Sequence, residues 1–265
     1  MNLGVKLSVI ICALLTTLEV SAQVSLIDTA LLNNSNMWRG EQSLTTTGSL
    51  LRKSSFGDIK TLNIEKGKRV EVASSKNKGF VIGSDGNRFE KTIHSKDTQS
   101  FTLHITTDGS DSIFLKLALT LLSEETRSTI NLSKKSPAQS GSSTSFCNEM
   151  VVHLSKDSTK WVLRGKDYSS DVENQTYFPI ISSQGDSMFV AYAKGFNPNK
   201  KIWKLTPPEG VVFFKSGVQV AALRTFFPVS IWMKKDLDKK SQQVISAIML
   251  GLLSYNGQLP QLNQE

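Results

Sequence analysis

Cysteine is nearly missing from this chain. Its 265 residues hold two, Cys12 and Cys147, and the first lies inside an N-terminal apolar run. A single cysteine outside that run cannot make an internal disulfide, so nothing covalent staples the fold. Cys147 has no lysine or arginine within six positions, and reads as a small, half-buried apolar residue at a strand start rather than a nucleophile. Histidine is scarce too. His94, His104 and His153 lack a second histidine or a carboxylate at metal-ligand spacing. There is no G-x-S-x-G and no Walker-type glycine run. Asp85, Asp108 and Asp111 sit beside glycine in turns, where aspartate bonds its own backbone, and they lack the alternation of a calcium loop. No catalytic, cofactor-binding or metal-binding residue is assigned.

Acidic residues are also in deficit, 23 against 31 lysines and arginines, for a net charge of +8. The basic residues come as scattered pairs, such as Arg52-Lys53, Lys134-Lys135 and Lys239-Lys240. A nucleic-acid reader gathers them on one element with aromatics between, so that partner is excluded. An anionic lipid, a glycan or an envelope protein stays open as partner.

What is present begins with Met1 to Ala22. One early lysine (Lys6), an apolar run from Leu7 to Leu15 and the end Val20-Ser21-Ala22 predict a secretory signal peptide cut after Ala22. Export to the exterior, the periplasm or the cell envelope follows. Residues 23–37 read as a mobile lead, residues 38–257 as a single β domain, and 258–265 as a tail.

The domain reads as strands punctuated by turns. Candidates are Asp58 to Ile64, Lys68 to Ala73, Gly79 to Gly83, Arg88 to His94, the alternating Phe101, Leu103 and Ile105, and Ile113 to Leu122. Residues 123–145 are rich in serine and read as a flexible linker. Beyond them, Met150 to Leu154 pairs with Lys160 to Arg164, and Thr176 to Ile181 with Ser187 to Lys194. Lys201 to Leu205, Val211 to Lys215 and Val218 to Phe227 follow, the last read as the final strand. About a dozen strands with turns every eight to twelve residues argue for a barrel or sandwich.

A helix then runs from Asp236 to Tyr255, with Asp236 or Asp238 as its cap and Asn256-Gly257 as its stop. From Ser241 to Tyr255 it carries no charge. Apolar or small residues cover almost its whole circumference, which suits a helix buried on all sides. A barrel of that many strands is too wide for its own side chains to fill. The expected fold is therefore an antiparallel barrel of about twelve strands around a buried apolar C-terminal helix. The alternative is two β-sandwich-like domains with the helix packed on one face.

Phe227-Pro228, then Lys235 to Lys240 with its Asp-Leu-Asp, then Ala247 to Gly251 resemble the tail of the tubby C-terminal-like superfamily, in its phospholipid scramblase-like branch. The resemblance implies a twelve-stranded barrel around a central C-terminal helix. It implies no activity here, because the cysteine cluster and the acidic calcium loop are missing; Arg224-Thr225 stands where the loop would be. The functional expectation is an exported, non-enzymatic binding or scaffold protein. The alternatives are a secreted hydrolase whose site assembles only in three dimensions, and a structural component of a surface assembly.

Overall fold

The computed structural model describes residues 27–42, 51–83, 86–107, 111–130, 138–167, 177–193, 195–196, 208–255 and 261–262, with side-chain positions for these except at 75–92, 111, 121–130, 138–146, 166–167 and 261–262. A short helix α1 (Thr29–Asn33) precedes β1 (Ser35–Arg39), β2 (Glu41–Gln42) and β3 (Ser54–Phe56). Four long strands follow: β4 (Ile59–Gly83), β5 (Gly86–Thr107), β6 (Asp111–Ile130) and β7 (Ala138–Leu154). Shorter ones come next: β8 (Lys160–Arg164), β9 (Lys166–Asp167), β10 (Phe178–Ser182), β11 (Ser187–Ala193), β12 (Gly210–Lys215), β13 (Val218–Arg224) and β14 (Ser230–Lys234). The helix α2 (Lys239–Ser254) and β15 (Gln261–Leu262) end the described chain.

Thirteen strands form one antiparallel sheet, ordered β1-β14-β13-β12-β11-β10-β8-β7-β6-β5-β4-β3-β2; β9 and β15 make a separate parallel pair. The two outermost strands of that order, β1 and β2, are neighbours in the chain, divided only by Gly40. Residues 35–39 pair with β14, and residues 41–42 pair with β3. One extended segment thus joins both margins of the sheet, and the wall curls into a nearly closed barrel. Gly40 makes the crossing. Its N–H donates to the Val229 carbonyl at 3.1 Å, and a Cβ there would lie 2.5 Å from Val229 Cγ1. A side chain at this position would press on the Val229 side chain.

The inward residues follow the two-residue period of a strand. On β5, Phe101, Leu103 and Ile105 are buried while Thr102, His104 and Thr106 are partly open. On β6, Ile113, Leu115, Leu117 and Leu119 are buried in the same way. These residues close on α2. Every residue from Val244 to Ser254 is buried, so sheet or core covers the helix on all sides. Each large aliphatic so enclosed contributes about 1.5–3 kcal/mol, far more than the propensity of a short helix supplies. The helix lies close to β6 and β7: a Cβ on Gly251 would stand 2.5 Å from Leu115 Cδ2 and 3.3 Å from Met150 Sδ. Asp238 caps it, accepting from the Ser241 N–H at 2.9 Å.

A second, smaller core lies on the outside of the wall. Ile27 and Leu31 pack there with Ala191, Ala193, Val212 and Ala222. Three of those four sheet residues are alanines, which leaves room for α1 to settle. The Asp28 N–H donates to Gln219 Oε1 at 2.8 Å and fixes the segment to β13.

Several expectations change. Residues 27–37, expected within a mobile lead, form α1 and β1 and are packed on the barrel. Residues 123–145, expected as a linker, are strand in 123–130 and 138–145, where β6 and β7 pair through Ser128 and Ala138; residues 131–137 lie outside the described chain. The separate strands expected between 58 and 107 merge into two, β4 and β5. β4 runs through Glu65-Lys66-Gly67, the gap between two of those candidates, with a register shift between Lys66 and Arg69. The strand expected to end at Phe227 ends at Arg224, and β14 follows it. The helix begins at Lys239, three residues later than expected, because Asp238 rather than Asp236 is its cap. A single main sheet replaces the two-sandwich alternative. The expected signal peptide, the strand Lys201 to Leu205 and the Asn256-Gly257 stop lie outside the described residues.

Candidate functional site

The residue types that carry catalysis are placed apart from one another or are tied up. His104 Nε2 sits 3.0 Å from Glu65 Oε1, and its ring stands edge-on to Phe114 at 5.0 Å. His153 lies opposite Phe114 on one side and Lys160 on the other. Burial, then the charges of Lys160 and Lys116, lower its pKa. Cys147 is buried, and burial pushes its thiol up to about 12. A thiol so held stays protonated at neutral pH and is a poor nucleophile. Among the described residues no group of three or more His, Cys, Asp or Glu is placed to hold a metal ion. Asp85 and Asp108 lie outside the described residues.

Two features remain that can bind. The first is a cleft at the barrel mouth where the N-terminal end of α2 emerges. It holds about 160 Å³ and is lined by Trp38, Phe56, Gly57, Asp58, Ile59, Thr107, Met233, Lys239, Gln242, Gln243 and Ser246. Trp38 and Phe56 stand 6.1 Å apart, tilted. Gly57 has φ +52°, and a Cβ there would lie 2.8 Å from Trp38 Nε1, so a glycine lets the β3–β4 turn rest on the indole. Gln242 is held by donation from Nε2 to the Leu237 carbonyl at 2.6 Å. Ser246 is fully buried, and its Oγ has no hydrogen-bond partner among the described residues.

Beside it is a more open cleft of about 280 Å³ with Lys156, Asp157, Lys239, Lys240 and Gln243 on its walls. Its charge is largely spent internally. Lys240 Nζ meets Asp157 Oδ2 at 2.8 Å and lies 5.7 Å above the Trp161 ring. Hydrogen bonds from Lys240 and from Thr159 hold the Asp157 carboxyl down at about 2.

The second feature is the sheet of β4, β5, β6 and β7 beyond the barrel. Among the residues with described side chains, the core reaches Phe101 on β5, Leu119 on β6 and Cys147 on β7. The four strands run on past that level, β4 from Arg69 to Gly83, or about 50 Å at about 3.3 Å per residue. β3 pairs with β4 only at Ile59 and Lys60. From Thr61 onward the outer side of β4 carries no further strand among the described residues. Val70 and Val72 on it are 49% and 61% exposed. Arg69 meets Asp97 of the neighbouring β5 at 2.6 Å.

None of this was assigned from sequence. The cleft draws on β1, the β3–β4 turn and α2, far apart in the chain. The one available sign was Gln242-Gln243 and Ser246, polar positions in the uncharged helix. The free side of β4 leaves no mark in sequence, since it depends on which strand is not beside it.

Compared with known proteins, the chain matches no family model, no curated protein and no solved structure.

Proposed function

We propose that this is an exported, non-enzymatic scaffold protein that binds an extended segment of another protein along the outer side of β4. The observation that supports it is the outer side of β4, which carries no strand beyond Lys60 among the described residues and turns Val70 and Val72 to solvent. An unpaired strand offers a row of backbone donors and acceptors to a partner strand. Alternate side-chain positions then give selectivity. Soluble proteins shield such a strand with charge, proline or a covering element. Here Val70 and Val72 are exposed, set among the charged residues Lys66, Lys68, Arg69 and Glu71. The rigid base is the plugged barrel, and the kinship with the tubby-like superfamily is proposed on the same ground, a terminal helix enclosed by antiparallel sheet. The N-terminal apolar run with its Val20-Ser21-Ala22 end supports export.

The test is capture from an envelope fraction with the wild-type protein and with Val70→Lys/Val72→Lys. A charge on the exposed strand blocks pairing without entering the core. The wild type is expected to retain a protein partner. The double variant should lose that association with its melting temperature unchanged. A monomeric wild type that retains no protein, while binding anionic vesicles or acidic glycans, overturns the reading.

A further inference from the structure

We propose that the outer side of β4 pairs with the same strand of a second copy of this chain, antiparallel and centred on Val70. The inference deepens the proposed function, since it rests on the same open side of β4. An outside segment then has to displace the copy, so self-pairing governs access to the strand.

The order of charges along the strand selects a copy of itself. Arg69, Val70 and Glu71 are consecutive. In a two-fold pair every contact is made twice, because residue i facing j means that j faces i. With Val70 opposite Val70, Arg69 of each copy stands opposite Glu71 of the other. The central rung joins two valines, and the rung on either side joins opposite charges; cross-strand neighbours of both kinds are favourable. Moving the centre by one residue sets Arg69 against Arg69 or Glu71 against Glu71, and like charges directly opposed are unfavourable. The faces agree as well. By the two-residue period Arg69 and Glu71 share one face of β4 and Val70 takes the other.

These residues are free to make the contact. They lie between two register shifts, in the stretch from Arg69 to Asn77 that pairs evenly with β5. The side chains of Arg69 and Glu71 are each 59% exposed. Asp97 meets Arg69 at 2.6 Å, and a guanidinium has five donors to share. Glu71 lies 3.9 Å from Arg69 of its own strand, beyond hydrogen-bond reach, so its carboxylate can take a guanidinium from the other copy. A few rungs of one strand make a small interface, of the kind that is weak and reversible.

The test is sedimentation velocity of the purified chain at rising concentration, with cysteine cross-linking to read the register. The wild type is expected to form a reversible dimer. Glu71→Lys puts like charges on both outer rungs and should weaken that dimer about tenfold, with the melting temperature unchanged because the side chain is exposed. Directly opposed residues of antiparallel strands have Cα atoms about 4.5–5.5 Å apart, within disulfide reach. Val70→Cys should therefore give a covalent dimer under mild oxidation. Val72→Cys should not, since its two copies stand about 13 Å apart along the strands. Cys147 is buried and adds no background. A wild type that stays monomeric, a Glu71→Lys chain that dimerises as the wild type does, or equal cross-linking at positions 70 and 72 overturns the proposal. The two readings fail separately. A monomer that captures an envelope protein removes the self-pair and keeps the outside partner, whereas a dimer that captures none keeps the self-pair alone.

Discussion

Single residues set the tightest limits on this molecule. Gly210 begins β12, and a Cβ on it would overlap the Leu223 carbonyl oxygen and crowd Arg224 Cα. Backbone cannot swing aside as a side chain can. Gly210→Ala is expected to cost about 3 kcal/mol, measured as a lower urea midpoint. Cys147 makes the opposite kind of prediction. Its thiol is buried and pushed up to about 12. A maleimide at pH 8 should leave Cys147 unmodified in the native protein and label it fully in urea, as peptide mapping would read. Two carboxylates fix the acid limit. Hydrogen bonds from Lys240 and Thr159 hold Asp157 at about 2. At Asp238, burial pushes the pKa up, but hydrogen bonds from Lys215 and Ser241 outweigh it and bring it to about 2. Both pKa values are depressed from 3.8, so the unfolded chain takes up these protons first. Their stabilisation is present above pH 3.8 and is lost as pH falls from there towards 2. Replacing both by asparagine should flatten the decline in melting temperature over that window.

At the scale of elements, α2 carries the fold. Ile248→Asp puts an unpaired charge among buried aliphatic residues and should cost several kcal/mol, seen as loss of the cooperative melt. Asp238→Ala removes the cap and should cost about 1 kcal/mol. The helix was legible in sequence because its missing charge is a property of consecutive residues. The alternating runs Phe101 to Ile105 and Ile113 to Leu121 were legible for the same reason, and so was the hairpin of β7 and β8. Chain breaks were not. Glu65-Lys66-Gly67 carries the composition of a turn, yet β4 passes through it with a shift of register between Lys66 and Arg69. Serine-rich 138–145 resembles a linker, yet it pairs residue by residue with β6. In both places a neighbouring strand overrides the local preference. β1 went unseen because its residues Ser35 to Arg39 are open or only partly buried, so no apolar period marks them.

Across the whole molecule, the wall has one seam and one filling. β1 and β2 close the seam, and α2 fills the interior. The early strands also touch the end of α2 directly: Gln42 Nε2 donates to the Leu253 carbonyl at 2.7 Å, and the Arg52 N–H to the Ser254 carbonyl at 3.2 Å. Thermal unfolding should therefore be one transition, with tryptophan fluorescence and far-ultraviolet dichroism coincident. Gly40→Val should lower that single midpoint by pressing on Val229 and Leu253 rather than split it. The arrangement also bears on how the polypeptide matures. A ribosome releases residues 35–42 well before residues 239–254, so the wall has no interior to fold around until the helix emerges. A stop codon or a protease cut just before Lys239 would leave a hollow shell with its greasy lining bare, and that product is destined for aggregation or degradation.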